Sequence, residues 1–495
     1  MKQQNIKKYI YFPTGRTIWF DLAKSLYEEN IAEPVVWIGD NKHKDSAVKE
    51  FPNTEVLDFY DIHTEIALTT LNMETQPFLK CYRELFSSEA KSKTLKMMDR
   101  QDPSGAFHYI ERVNQFHFLL TYSIKLVIDK KPEFLIMCES PHSPFQFILS
   151  EVCKWFDINV ISFFSWAIVP LISVRKNNSL IFLKGQIKPS LKGKIESEIN
   201  KYIRKFESVD RDIEPKYIKN QKAFDRNGKK ISYYCSFLWN KIFHKPCKNT
   251  NRRFDILFFP DLFLTLFERL YKISVWKKLR KELLNSYEGF QCLNRSYVYF
   301  PLHYEPERTT NPDGGEYYDQ IIAIASLRSR LPSSYQIAVK EHYSQFSRAL
   351  QGYKGRRASF YKLLRNIEGV VIVDDSVSSK ELILNAEFTC SITGTAALES
   401  ALYEKPGVIM GTSWFDGAPG VYDFDDGLVI QKIVDGRLVA HKREQIFNWF
   451  KQRVDYAIFG TINPSNEQYF GSYYVDDDYE TDELCNLIQL IKGQL

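Results

Sequence analysis

Two series of short apolar segments, each alternating with amphipathic stretches of helical length, constrain the fold of this chain more than any other feature. The first series runs from Tyr9 to Phe163 and the second from Tyr297 to Met410. Such alternation is typical of βαβ units, in which helices cover both faces of a parallel sheet. The sequence therefore predicts an α/β protein with two Rossmann-like, doubly wound domains.

Individual elements can be assigned in both series. The strands predicted in the first series are Tyr9–Pro13, Val35–Ile38, Phe134–Cys138 and Asn159–Phe163, with helices up to Tyr27, over Ala106–Asp129 and over Pro144–Phe156. The strands predicted in the second series are Tyr297–Leu302, Gln336–Val339, Val370–Val373, Phe388–Ile392 and Gly407–Met410, with helices over Tyr317–Ser329, Ser359–Asn366, Ser378–Asn385 and Thr395–Tyr403.

These patterns divide the chain into four regions. We expect an N-terminal Rossmann-like domain over 1–188, a helical linker or insertion over 189–295, a C-terminal Rossmann-like domain over 296–440 and a helical tail over 441–495 that packs back on the domains. Within the insertion, Phe237–Tyr287 alternates aromatic and leucine residues with lysine and arginine. This pattern fits a packed helix with solvated lysines, or a basic amphipathic helix on an anionic membrane surface.

Composition narrows the remaining classes. The chain has 495 residues, and its 66 basic and 61 acidic side chains leave a formal charge of only +5, which gives no reason to expect nucleic-acid binding. The eight cysteines show no CxxC pair or metal-ligand spacing. Because the sequence shows no signal-peptide pattern and no apolar run of about twenty residues, we expect a cytoplasmic protein.

The segment SITGTAALES follows the predicted strand that ends near Ile392. Its hydroxyls, from Ser391, Thr393 and Thr395, and the turn at Gly394 lie at the start of a predicted helix, where free backbone N–H groups favour an anion. Glu399, one turn further, can accept hydrogen bonds from ribose hydroxyls. The segment therefore predicts a phosphate and ribose site, although an ordinary strand, turn and N-cap has the same pattern.

Lys340, Glu341 and His342 directly follow the predicted strand Gln336–Val339, at the carboxyl edge of the sheet. Lysine is a point cation for phosphate, and histidine can donate to a departing oxygen. We expect Lys340 and His342 to act on the leaving group, with a structural histidine as the alternative. The basic residues that follow fit a solvated loop or an additional phosphate clamp; they are Arg348, Lys354, Arg356 and Arg357.

The segment PLHYEPERTTNPDGG places Glu305 and Glu307 just past a buried strand. Carboxylates in such a position are costly unless they are paired or used in chemistry. Either can take a proton from an acceptor hydroxyl, or attack an anomeric carbon and form a covalent intermediate. The alternatives are a surface loop whose glutamates pair with Arg308, and a core position for His303.

Glu139 follows the strand predicted at Phe134–Cys138, again at a carboxyl end. If the two sheets face each other, Glu139 can bind an acceptor or act as a general base across the cleft. Capping of the next helix by Ser140 is the competing interpretation.

The second series resembles the bacterial capsular polysaccharide biosynthesis family that includes the Kdo transferases and their relatives that use CMP-activated nonulosonic acids such as pseudaminic acid. The resemblance covers about residues 297–411 and depends on three segments, PLHYEPE, VKEH and SITGTAALESALYEKPGVIMG. Here glutamate stands at 305 and 307 where the family often has aspartate, and Tyr343 follows His342 where proline is usual.

The resemblance implies a GT-B fold, with two Rossmann-like domains facing a cleft, acceptor binding at 1–188 and nucleotide-sugar binding at 296–440. It implies a metal-independent glycosyltransferase that needs no cofactor, because the CMP-sugar is a substrate, and retention of configuration through an acidic nucleophile. The partners it implies are a glycan or glycolipid acceptor of the bacterial surface and peripheral contact with the inner membrane. Transfer from a UDP-sugar or CDP-polyol donor, and a non-catalytic scaffold, are the alternatives.

Overall fold

The computed structural model describes residues 6–58, 76–101, 108–181, 187–207, 216–227, 273–306, 309–347, 350, 352–438, 440–473 and 479–494. The chain forms two compact units. The first contains Met1–Met98, Phe107–Arg204 and Phe447–Leu495, and the second contains Asp99–Ala106 and Lys205–Ile446. The predicted region 189–295 is thus divided between the two units, because helix Pro189–Arg204 packs within the first. Residues 59–75, Glu307 and most of Phe237–Tyr287 lie outside the described part.

The first unit is built on a mostly parallel sheet. Its strands are β1 (Lys7–Phe12), β2 (Ala32–Ile38), β3 (Glu55–Leu57), β4 (Phe134–Met137), β5 (Asn159–Ser165), β6 (Leu171–Lys176), β7 (Ser179–Ile181) and β14 (Ile458–Phe459). The order is β14-β6-β5-β4-β1-β2-β3, with β7 also paired to β6. The five neighbouring strands β5, β4, β1, β2 and β3 are parallel, and β6, β7 and β14 add an antiparallel edge.

Helices connect and cover the strands of the first unit. They are Thr17–Glu28, Lys44–Glu50, Gln76–Ser87, Tyr109–Lys130, Pro144–Trp155, Pro189–Arg204, Pro464–Tyr469 and Tyr479–Gln494, while Glu89–Gln101 and Arg443–Val454 each contain a boundary between the units. Among the described helices of both units, none has both the length and the apolar character that a membrane span requires.

The second unit contains a sheet in which every described pairing is parallel. Its strands are β8 (Tyr297–Pro301), β9 (Gln336–Lys340), β10 (Val370–Val373), β11 (Phe388–Ser391), β12 (Gly407–Ile409) and β13 (Val421–Asp423). Its helices are Lys216–Asn227, 273–284, Thr310–Asp313, Gln320–Arg330, Ala358–Arg365, Ser379–Asn385, Ala396–Leu402 and Val429–Val434. The predicted α/β class with two Rossmann-like sheets is confirmed.

Alternating side chains of each strand pack on opposite faces of the sheet. In the first unit, Tyr9 and Tyr11 belong to one apolar cluster, whereas Ile10 and Phe12 belong to another. In the second unit the same alternation separates the two clusters, as Val370 and Val371 show. Burial on both faces explains why these strands appear in the sequence as continuous apolar runs.

One helix of the second unit begins later than predicted. Its apolar pattern extends back to Tyr317, but the helix starts at Gln320. Asp319 has an extended backbone, and its carboxylate accepts hydrogen bonds from the N–H groups of Ile321 and Ile322 at 2.9 and 3.4 Å. Asp319 is therefore the N-cap, and residues before it form a separate turn.

The C-terminal segment completes the first unit. Strand β14 pairs antiparallel with β6, and helix Tyr479–Gln494 packs against helix Thr17–Glu28. The indole N–H of Trp19 donates to the carbonyl of Ile462 at 2.8 Å. From residue 447 onward, the predicted tail therefore forms part of the first unit's core.

Arg16 connects the carboxyl end of β1 to this segment. Its side chain is buried and donates to both carboxylate oxygens of Glu483, at 2.6 and 3.0 Å, and to the carbonyl of Thr461 at 2.5 Å. Glu467 lies further away, at 3.4 Å, with one third of its side chain exposed. A bidentate, buried ion pair thus closes the first unit.

We predict that Glu483→Gln lowers the free energy of unfolding by about 3 kcal/mol, because it removes the buried carboxylate that pairs with Arg16 through both oxygens. The matched variant Glu467→Gln should cost less than about 1 kcal/mol, since that pair is longer and partly exposed. Urea unfolding followed by circular dichroism measures both. Equal losses in the two variants would contradict this assignment.

Candidate functional site

The second sheet has one position at which its chain connections reverse direction. The strand order is β10-β9-β8-β11-β12-β13, which is the Rossmann order 3-2-1-4-5-6 counted from β8. Connections leave β8 towards β9 on one side, and later strands continue from β11 on the other. In open parallel sheets of this kind, ligands bind at the carboxyl ends of the two strands that flank the reversal.

Residues from both flanking strands meet at this position. His303 follows β8, and its Nε2 lies 3.2 Å from the Oγ of Ser391, the last residue of β11. The N–H of Gly394 donates to the same Oγ at 3.1 Å. The motifs predicted separately from PLHYEPE and SITGTAALES therefore form one cluster.

Only glycine fits at position 394. A Cβ on this residue would lie 2.8 Å from Ser391 Oγ and 3.0 Å from His303 Cε1. Both distances are too short for ordinary contact. The turn in Thr-Gly-Thr can therefore approach these two side chains so closely because its central residue has no Cβ.

The backbone and ring of His303 are held in place. Gln320 accepts from the N–H of His303 at 2.8 Å and donates to its carbonyl at 3.2 Å. Burial, together with the nearby His342 and Arg356, lowers the pKa of His303 to about 3. The imidazole is consequently neutral at physiological pH, and the predicted alternative of a core position for His303 agrees with its burial.

Arg356 is the centre of the charged network behind this cluster. It is 2% exposed, and its Nη1 lies 2.8 Å from Glu305 Oε2. Its Nε and Nη2 donate to the two oxygens of Glu341, each at 3.2 Å, and Nη2 also donates to the carbonyl of His303 at 2.8 Å. One guanidinium therefore binds the segments that follow β8 and β9.

Neutral side chains complete the network. Gln320 donates to Glu305 Oε1 at 2.8 Å, and the Tyr361 hydroxyl donates to Glu341 Oε2 at 2.7 Å. Gln345 accepts from the N–H of Glu305 at 2.8 Å and donates to its carbonyl at 2.9 Å. Glu305 is thus 5% exposed and bound through its backbone and its carboxylate.

The segment that carries Arg356 is not a solvated basic loop, so that interpretation is wrong for this residue. Gly352 and Gly355 allow the segment to pack inward, because a Cβ at either position would lie within 2.2 Å of backbone atoms of Gln345 or Glu305. Arg357, the next residue, is exposed. Glu305 pairs with Arg356. The alternative in which the glutamates pair with Arg308 falls on a residue outside the described part, as does Arg348 of the basic segment.

Lys340, the last residue of β9, and His342, two residues later, lie in different environments. Lys340 Nζ donates to the carbonyl of Val377 at 2.5 Å and lies 3.4 Å from Ser379 Oγ, so it contacts the segment after β10. The half-buried His342 accepts at Nδ1 from the N–H of Ser344 at 3.2 Å. Burial lowers the pKa of His342, which favours a neutral ring with its proton on Nε2.

The segment after Gly394 differs from its prediction. Thr395 directly precedes helix Ala396–Leu402, at the predicted N-cap position, but its side chain makes no capping hydrogen bond. Its hydroxyl instead donates to Glu399 Oε1 at 2.9 Å, and burial raises the pKa of Glu399. The hydroxyl of Thr393 lies 3.4 Å from that of Thr309, in the segment that follows β8.

Glu139 lies in the first unit, at the carboxyl end of β4. Its Oε1 is 3.3 Å from His142 Nε2, and His142 Nδ1 is 2.7 Å from the carbonyl of Ser140. Ser140 does not cap the next helix, which is preceded by Ser143. Because β4 neighbours β1, Glu139 lies at the reversal of the first sheet, and its role as a general base stays a prediction.

The sequence did not indicate Gln320, Gln345 and Tyr361, nor that Arg356 binds two buried carboxylates. Each is separated by many residues from the group that it binds, so no local pattern connects them. The available signals were the glycines at 352 and 355, which are unusual in a basic loop, and the buried carboxylates that required a cation.

No protein-family model and no curated protein matches the sequence. Solved structures with similarity include the β-Kdo 2,7 transferase KpsC of Thermosulfurimonas dismutans, at 12% identity over 80% of this chain and 96% of that chain, with a TM-score of 0.27. The UDP-GlcNAc 2-epimerase of Neisseria meningitidis bound to UDP-GlcNAc is 12% identical over 99% of both chains, with a TM-score of 0.20. HepE of Anabaena in complex with UDP-glucose is 10% identical over 95% of this chain and 99% of that chain, with a TM-score of 0.26. At such low identities and TM-scores, these structures define neither the fold nor the activity of this chain.

The burial of neutral His303 predicts a specific pH dependence of stability. Its folded-state pKa of about 3 lies below the ordinary value of 6.5, so between these values the unfolded chain binds a proton that the folded chain excludes. The resulting stability is complete above pH 6.5 and is lost as the pH falls towards 3. The slope contributed by this residue reaches about 1.4 kcal/mol per pH unit.

Urea unfolding of His303→Gln and wild type from about pH 7 to about pH 5 measures this contribution. The variant should be less stable at neutral pH and should lose less stability on acidification. His441→Gln, at a partly exposed histidine of the same unit, should keep the wild-type dependence. Parallel pH curves for His303→Gln and wild type would show that the ring is not buried in its neutral form.

Proposed function

We propose that this chain is a glycosyltransferase of the GT-B type that binds a nucleotide-activated sugar at the carboxyl edge of the second sheet. The observation that carries the proposal is the cluster of His303, Ser391 and Gly394 at the reversal between β8 and β11. Nucleotides bind at this position in sheets of the same order. Hydroxyl and backbone N–H groups there suit a phosphate.

The proposed donor is a CMP-activated acidic ulosonic sugar, Kdo or a nonulosonic acid such as pseudaminic acid. Its support is the resemblance of PLHYEPE, VKEH and the Thr-Gly-Thr segment to the capsular polysaccharide family. In this proposal Ser391, Thr393, Gly394 and Thr395 receive the phosphate. The acceptor is a bacterial surface glycan or glycolipid, reached from the cytoplasmic face of the inner membrane.

His342 and Glu307 carry the proposed chemistry. His342, neutral with its proton on Nε2, donates to the phosphate oxygen as the bond between that oxygen and the anomeric carbon breaks. The carboxylate of Glu307 attacks the anomeric carbon, and the acceptor hydroxyl later displaces it while losing its proton to a base. This sequence of two displacements retains the anomeric configuration.

We assign the nucleophile to Glu307 and not Glu305 because Glu305 already has a structural role. Both of its carboxylate oxygens are engaged, one by Arg356 and one by Gln320. Removing that carboxylate from the network to attack a sugar would leave the Arg356 cation buried beside a single remaining glutamate, which is unfavourable.

Donor binding is tested by thermal unfolding with CMP, CDP and UDP, and by CMP release from CMP-Kdo, CMP-sialic, CMP-legionaminic and CMP-pseudaminic acid. We expect CMP to stabilise the protein most, by about 2.7 kcal/mol at about one hundred times its Kd. One of the four donors should be hydrolysed slowly without acceptor. Preferential stabilisation by UDP or CDP, or no hydrolysis of any CMP-sugar, would contradict the proposed donor.

Two glutamate variants are the matched controls for this experiment. Glu307→Gln should bind CMP and melt like wild type but release no CMP from the donor. Glu305→Gln should melt earlier, by about 3 kcal/mol in unfolding free energy, because Arg356 loses a charged partner. Loss of hydrolysis only in folded Glu305→Gln would reverse the assignment, and full activity in both would favour a scaffold or another nucleophile.

A further inference from the structure

The second unit contains a cavity of about 220 Å³ beside His342. Its walls come from the segment after β9, from Asp375 after β10 and from the two inserted helices, 216–227 and 273–284. The side chains that line it include Asp225, Trp276, Arg280, His342, Phe346 and Asp375. The cavity is small beside typical ligand pockets of about 300 Å³ or more, so it suits a single ring.

Trp276 and Phe346 form an aromatic corner in this cavity. Their ring centroids are 6.1 Å apart, and the ring planes meet at 75°. The indole N–H of Trp276 donates to the carbonyl of Phe346 at 3.2 Å, which fixes the orientation of the ring. Because the two rings are nearly perpendicular, they can contact a non-planar ring with axial C–H bonds on two sides. They cannot enclose a flat base between parallel surfaces.

Polar groups surround the aromatic corner. Arg280 donates to Asp375 at 2.8 Å and lies over the ring of Phe346, with its guanidinium carbon 5.3 Å from the centroid. Asp225 accepts from the hydroxyl of Tyr343 at 3.0 Å. The cavity thus presents fixed carboxylate acceptors and guanidinium donors next to apolar surface, and hydroxyl groups can both donate to and accept from such a set.

We propose that this cavity binds one pyranose ring, with the apolar face of the sugar on Trp276 and Phe346 and its hydroxyls on Asp375, Asp225 and Arg280. That this ring belongs to the acceptor glycan rests on the proposed function, because His342, which is proposed to act on the leaving group, lines the cavity. The inserted helices then serve to build an acceptor subsite within the second unit.

Saturation-transfer NMR with the full-length protein tests this proposal. The probes are the methyl pyranosides of glucose, galactose, mannose and N-acetylglucosamine, each with and without CMP. We expect at least one probe to receive saturation from wild type and from the control Trp155→Ala, a half-buried tryptophan of the first unit. Trp276→Ala should weaken binding of that probe by about tenfold or more, since the packing of the sugar ring on the indole is lost.

A second variant guards against misfolding of Trp276→Ala. Asp375→Asn changes a partly exposed side chain and should weaken the same probe while CMP binding stays at the wild-type level. No saturation of any pyranoside by wild type would overturn the proposal. Loss of CMP binding in a Trp276→Ala variant that keeps the wild-type unfolding temperature would also overturn it, because the cavity would then hold the nucleotide. Absence of CMP binding in wild type, with pyranoside binding intact, would overturn the proposed donor and leave the saccharide subsite supported.

Discussion

The buried guanidinium of Arg356 is the interaction on which the carboxyl edge of the second sheet depends. An isolated cation at this depth would be strongly unfavourable, and the chain offsets the cost with two carboxylates and a backbone carbonyl. Those partners come from the segments after β8 and β9. The arginine therefore holds these two segments at a fixed distance from each other. The glycines at 352 and 355 let the arginine reach them.

This network determines what the neighbouring groups can do. Because Gln320 holds both the backbone of His303 and the carboxylate of Glu305, the ring of His303 is fixed against Ser391. The neutral imidazole is therefore held beside the buried hydroxyl of Ser391, which also accepts from the N–H of Gly394. Glu305 belongs to the same network, and for this reason our proposal gives the chemical step to Glu307 and not to Glu305.

Much of the fold could be predicted from the sequence, because burial on both faces makes parallel strands appear as apolar runs. Val370–Val373 was predicted with its bounds, and Phe388–Ser391 within one residue. The sequence did not predict strands β3, β6, β7, β13 and β14; all but β6 have three residues or fewer, too few to show a pattern. Thr395 stands at its predicted N-cap position, but its hydroxyl donates to Glu399 and makes no capping hydrogen bond.

The place of each motif in the fold could be predicted, but its contacts could not. Each motif lies at a strand end, as its spacing indicated, yet the pairing of Arg356 with Glu305 and Glu341 joins residues far apart in the chain. Lys340 illustrates the same limit, because it lies within one residue of its predicted place, as the last residue of β9, while its amine contacts the segment after β10. Sequence spacing determines which edge a side chain occupies, and packing determines its partner.

A crystal structure of the protein with CMP tests the central claim most directly. We predict the phosphate at the carboxyl ends of β8 and β11, against Ser391 and Gly394, with the cavity at Trp276 free for a sugar. CMP bound at the first sheet, or with its base in the corner formed by Trp276 and Phe346, would contradict the account.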